Sequence, residues 1–295
     1  ATVNVSPGDD IESALYEAAF GGTVIFAPGW YDLTPVDPGS QRGIYLSSAH
    51  ENITLKGAGW GTDPATATIL DGEAWFIDTA FRIETVDVVI EGFTIVNIYD
   101  EAVECNSDAY NVEFRNCMFL ACDSGSDNDG TAGMGDFDFF DEMIRFKNCI
   151  FARGGDDGSD QEGDSAVLYQ NCDFYDWDSD IFDHEDNSII VAKNCIFHAG
   201  SLSDDLDGGS GTTEMLNCVF FDPPGEDADG LGGMAIEGGA YEVDGVGGDP
   251  LYVNVGPHVF WLDLDFHLQE GSPALTAGKD DDGNATFAGS MGPAQ

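Results

Sequence analysis

The chain is poor in positive charge. Nine of its 295 residues are Lys or Arg, against 56 Asp and Glu, and the formal net charge is −47. Binding to nucleic acid through a basic face is excluded, because phosphate contacts need Lys and Arg. The same deficit disfavours unaided binding to anionic membranes or polyuronates. No apolar run is long enough to span a bilayer. No signal peptide precedes the opening ATVNVSPG, as expected of a secreted protein after cleavage. The seven cysteines are an odd number without a CxxC pair, so a complete set of internal disulfides is impossible.

A charge of this size destabilises a compact state by self-repulsion unless salt or bound cations screen it. Adaptation to high salt and a load of divalent metal both account for it. Asp outnumbers Glu by 39 to 17, and short, Gly-flanked Asp suits calcium-binding loops.

What the chain does contain is a repeat. Asn-Cys-x-Phe occurs at Asn116–Phe119, Asn148–Phe151, Asn171–Phe174, Asn194–Phe197 and Asn217–Phe220. The last four asparagines are spaced at a strict 23 residues; the first interval is 32, the extra residues falling in CDSGSDNDGTAGMGD at 122–136. A period in the low twenties marks a solenoid. Before each asparagine apolar and polar residues alternate, as in Ile144-Arg-Phe146-Lys, and afterwards the alternation resumes with Cys and Phe two apart. Period-two patterning predicts strands, and Asn between two strands predicts a corner, because it tolerates the left-handed backbone conformation. Short strands stacked turn on turn make a parallel β-helix of about ten coils, with equivalent residues about 4.8 Å apart. The five asparagines then form a ladder, the five phenylalanines a buried stack, and Cys117, Cys149, Cys172, Cys195 and Cys218 a buried column beside it.

The opening NVSPGDDIESALYEAAFGGTVIFAPGWYDL resembles the N-terminal cap of secreted right-handed parallel β-helix proteins of the pectate-lyase-like superfamily, in which a short helix plugs the coil. Ile11, Leu15, Ala18 and Ala19 would supply its apolar face and Asp9 or Asp10 its N-cap. The end, GGDPLYVNVGPHVFWLDLDFHLQEGSPALTAG, resembles the closing segment of the same proteins. The fold expected is thus all-β: a cap over 1–22, a right-handed parallel β-helix over 23–248 and a closing segment over 249–295. Members that cleave acidic polysaccharides by β-elimination bind the uronate through calcium and use Arg or Lys as base. The resemblance therefore nominates Arg115, Arg145, Lys147, Arg153 and Lys193, above all Lys147 and Lys193. The NTD, GHG and RIK motifs of the hydrolase branch are missing, and Gly155-Asp156-Asp157 alone matches its GDD.

Carboxylates crowd the segments between strands. In the 23-residue register Asp157 falls on Asp180, Asp160 on Asp183 and Asp164 on Asn187. Two carboxylates 4.8 Å apart repel by roughly 0.9 kcal/mol even in water, whereas an ion between coils would bind oxygens from both. Asp123, Asp127 and Asp129 form a second candidate within one loop. The expected cofactor is Ca2+, held by some of Asp123, Asp127, Asp129, Asp157, Asp160, Asp164, Asp180 and Asp183. With Cys and Phe inward, the outward column includes Met118, Leu120, Ile150, Ile196, Val219 and Phe221. It predicts a contact with another subunit or surface component, unless the segment around Val259–Phe266 covers it. Two functions follow: a calcium-stabilised extracellular structural or adhesive protein that self-assembles, or a calcium-dependent polysaccharide lyase.

Overall fold

The computed structural model describes residues 1–36, 39–106, 108–129, 143–156, 158–162, 165–177, 181–184, 188–198, 212–221, 240–255 and 263–293, with the backbone alone for 126–129, 162, 183–184 and 240–244. Twenty-one strands join in one continuous sheet wound into a right-handed parallel β-helix. Its wall has three faces. The first sheet stacks Thr2–Val5, Thr23–Phe26, Thr54–Lys56, Val86–Glu91, Tyr110–Arg115, Ile144–Lys147, Ala166–Gln170 and Ile189–Lys193, then the opening halves of Thr212–Phe221 and Ala240–Gly247. Each later strand of the second sheet follows one corner on, as in Ile150–Ala152, Asp173–Tyr175 and Ile196–His198. The third sheet carries Arg42–Leu46, Thr79–Ile83, the far halves of Phe93–Cys105 and Met118–Asp129, then Asp160–Glu162 and Asp183–His184.

The corner between first and second sheets is where the repeat predicts it. Asn116, Asn148, Asn171, Asn194 and Asn217 all have φ between 50° and 56°, and the Nδ2 of Asn148 donates to Asn116 Oδ1 at 3.3 Å, as that of Asn194 does to Asn171 at 3.4 Å. Gly57 and Gly92 occupy the same corner in the earlier coils, their amides bonded to the carbonyls of Glu91 and Arg115. Phe119, Phe151, Phe174, Phe197 and Phe220 stack near-parallel at 4.8–5.3 Å between ring centroids. A second stack, Phe114–Phe146–Tyr169–Phe182, meets it edge-on, an arrangement favoured by the ring quadrupole. All seven thiols are buried and unpaired as disulfides. The repeat cysteines point their sulfurs at carbonyls of the preceding coil, such as Cys172 Sγ to Phe146 O at 3.4 Å.

Helix Ile11–Ala18 plugs the first coil with Leu15 and Ala18. Asp10 is its N-cap, accepting from the amide and hydroxyl of Ser13 at 3.2 and 2.6 Å.

At the other end the chain folds back over the second sheet. Met118, Leu120, Ile150, Ile196 and Val219 form one buried cluster with Tyr252, Leu264, Phe266, Leu268, Ala274 and Ala288. This corrects the contact-surface expectation: apolar residues of the closing segment already fill that column, and only Phe221 keeps partial exposure. Asn194 ties the cover down through both amide atoms, to the N–H and carbonyl of Lys279, each at 2.9 Å.

Candidate functional site

The corner between second and third sheets gathers the titratable groups. Asn97, Ala121, Arg153 and Asp176 turn it with φ of 52–60°. Around it lie Asp78, Asp100, Glu101, Asp123 and Asp156, contributed by successive coils: the amide of Asp100 bonds to Asp78 O, and that of Asp156 to Asp123 O at 3.0 Å. The carboxyls of Asp100, Glu101 and Asp123 are each pushed above their ordinary range. Burial is the main cause; Asp78 and Asp156 add to it at Asp100, Asp100 at Glu101, and Asp156 with Asp100 at Asp123.

A pocket of about 290 Å³ opens at this corner, lined by Ile98, Tyr99, Ala121, Cys122, Asp123, Arg153 and Gly155. A Cβ on Gly155 would lie 2.3 Å from Asp123 Oδ1, so glycine is required for the carboxylate to sit against the backbone. Arg153 approaches Asp176 with Nε to Oδ2 at 3.5 Å.

On the third sheet the register sets Glu104, Asp127, Asp160 and Asp183 beside one another on four successive coils. The predicted adjacency of Asp160 and Asp183 is present in the backbone pairing. Arg82 heads the column, paired to Glu104 and, through Nε at 2.9 Å, to Glu84. Asp157, Asp164 and Asp180 lie outside the described residues, and of Asp127, Asp129 and Asp183 only the backbone is placed. Among the described residues no three metal-ligating side chains converge as a preformed site. The donors at the corner are all carboxylate and carbonyl oxygen, a set that suits a hard cation such as Ca2+, and the recess that Gly155 leaves for Asp123 is consistent with one.

Four of the five basic residues nominated for catalysis, Arg115, Arg145, Lys147 and Lys193, sit on the first sheet; Arg153 is at the corner. Glu113, 4% exposed, binds Arg115, Arg145 (3.0 Å) and Lys147 (3.1 Å) together. Burial pushes its carboxyl up, but the three cations outweigh burial and bring it below the usual range. Lys147 is therefore engaged in an ion pair with a charged carboxylate, whereas Arg153 shares a pocket with Asp123, a predicted metal ligand. Sequence reasoning missed Asp78, Asp100 and Glu101 because it sought acids in Gly-rich loops, and it noted Asp156 in the Gly155-Asp156-Asp157 match and not as a ligand. The signal was present: Asp100 and Asp123 are one repeat, 23 residues, apart.

No protein-family model matches the chain. No curated protein matches it in sequence. Solved structures do match. The pectate lyase Pel9A superposes with a TM-score of 0.58 at 11% identity, covering 99% of this chain and 96% of that one. YbhC of Escherichia coli gives 0.53 at 12% identity over 83% and 84%, and a pectin methylesterase from carrot 0.50 at 16% over 88% and 86%. The chain is a parallel β-helix similar in fold to these proteins, and at these identities the likeness defines the fold alone. No helix among the described residues is long and apolar enough to cross a membrane.

Proposed function

We propose that the protein is an extracellular β-helix in which calcium, held by carboxylates of successive coils, cements the corner between second and third sheets and mediates contact with a polysaccharide. The observation that carries this reading is the gathering of Asp78, Asp100, Glu101, Asp123 and Asp156 from successive coils beside a pocket, where burial above all holds the carboxyls of Asp100, Glu101 and Asp123 above their ordinary range. Perturbed carboxylates at a concave site are candidates for function rather than solvation. The two solved neighbours whose names state an activity, a pectate lyase and a pectin methylesterase, support a glycan as partner. The self-assembly part of the expectation loses its motive, because the apolar column is covered from within the chain.

One observation favours a second reading, a calcium-dependent lyase: Arg153 lines the same pocket as Asp123. In that case Arg153, not Lys147 or Lys193, takes the proton. Two measurements test both readings. Thermal melting with calcium and then with chelator is expected to show a lower Tm in chelator; an unchanged Tm removes the structural calcium. Ultraviolet absorbance during incubation with polyuronates and calcium is expected to stay flat for the first reading. A calcium-dependent rise that Arg153→Ala abolishes establishes the second.

A further inference from the structure

A second concavity lies at the opposite end of the coil from the closing segment, and nothing in the corner site depends on it. It is a cleft of about 470 Å³ where the cap helix meets the first strands of the second and third sheets, within the size range of small-ligand sites. Its chemistry is one-sided. Four carboxylates line it, those of Asp9, Asp10, Glu12 and Asp32, and no Lys or Arg does. Trp30 and Trp75 supply the accessible ring surface, while the Tyr31 ring, 3% exposed, belongs to the core.

The polar atoms of two of these rings are already used. Trp30 Nε1 donates to Asp71 at 3.0 Å, and the Tyr31 hydroxyl lies 2.9 Å from Ala27 O and 3.1 Å from Val5 O. What Trp30 offers a ligand is therefore ring surface. Trp75 is 54% exposed beside them, in the short helix Glu73–Trp75, and the next residue, Phe76, adopts a left-handed φ of 51°. Two of the acids are also engaged: Asp9 accepts from the Ser6 amide at 2.8 Å and Asp10 caps the helix. Glu12 and Asp32 make no described hydrogen bond or ion pair and are exposed.

Ring faces attract cations and the apolar faces of sugar rings, and carboxylates accept from ammonium and hydroxyl groups. The protein's overall charge repels an anionic sugar and attracts a cationic one. We infer that this cleft binds a cationic amino sugar chain, its rings on Trp30 and Trp75 and its ammonium groups at Glu12 and Asp32. A neutral sugar would leave the four carboxylates without a counter-charge. A basic peptide would use the charge and meet the rings by cation–π contact alone, without the stacking of sugar faces.

The test is calorimetric titration of the whole chain with a β-1,4-linked glucosamine tetramer, its fully N-acetylated counterpart and tetralysine, at two salt concentrations. The glucosamine tetramer is expected to bind at least tenfold more tightly than either control, with affinity falling as salt rises. Trp75→Ala and Asp32→Asn, both at exposed positions, should each weaken it at least tenfold while leaving the Tm unchanged. Equal binding of the acetylated tetramer, equal binding of tetralysine, no binding at all, or full binding by either folded variant overturns the inference.

Discussion

Asp173 stands where the other repeats carry Met118, Ile150, Ile196 and Val219. It is the one acid in that column, 1% exposed, and the closing segment delivers donors to it: the Tyr252 hydroxyl and the Ser290 amide, each at 2.5 Å, and the Ser290 hydroxyl. Burial raises its pKa to about 7, against the pull of those donors. The folded state therefore holds this proton more tightly than the unfolded chain, whose carboxyl has the ordinary value of 3.8. The stability it contributes is fully present below about pH 4, declines between pH 4 and 7, and is lost above. His198, on the next coil, acts in the opposite sense: burial lowers its pKa to about 4, so stability falls as pH drops from 6.5. Comparing Asp173→Asn with the parent protein cancels the histidine. Denaturant unfolding should show the variant gaining roughly 2–3 kcal/mol relative to the parent between pH 5 and pH 8. A pH-independent difference would mean that the carboxyl does not titrate in this range.

At the scale of the strand and its coil, the phenylalanine stack holds neighbouring units together. Phe174 lies between Phe151 and Phe197, at 4.9 and 5.3 Å, and meets Tyr169 and Phe182 edge-on. Phe174→Ala should destabilise by about 3–5 kcal/mol, the cost of a large core truncation, measured by denaturant unfolding. Loss of under 1 kcal/mol would show that neighbouring rings close the gap. These elements were legible in the sequence because their causes are local: two-residue alternation sets the face, and asparagine sets the corner. The cap was legible for the same reason, down to Asp10, although Ala19 ends the helix instead of lying on its apolar face. Earlier coils hid their corners because Gly57 and Gly92 replace asparagine there. The cover over Met118, Ile150 and Val219 was less legible. It depends on where a segment that begins more than thirty residues beyond Val219 comes to rest, which no local pattern encodes. The grouping of corner carboxylates was hidden for a related reason: Asp78, the Asp100-Glu101 pair, Asp123 and Asp156 sit on four separate stretches, and only the wound coil brings them together.

For the whole molecule, the raised corner carboxylates and the net charge of −47 act in one direction. The folded form binds protons there more readily than the unfolded chain, so with metal removed these groups cost stability as pH rises through the carboxylate range and beyond. The drop in Tm on adding chelator should therefore be larger at pH 7.5 than at pH 4, where the same groups carry more protons and hold metal less well. An equal drop at both values would place the cation elsewhere.

A solenoid of this kind touches itself only from coil to neighbouring coil, and the buried thiols are spaced along it like graduations on a scale. Burial raises the pKa of Cys122 to about 12 and that of Cys117 well above its ordinary value, so neither reacts while its own coil is closed. Each cysteine becomes a clock for the opening of one turn. A slow alkylating reagent under native conditions, followed by peptide mapping, would thus record the order in which the molecule unravels. With the cap plugging one end and the closing segment laid along the second sheet, Cys117 and Cys122 should be modified after Cys218. Equal rates at all seven positions would mean that the coil opens as one unit.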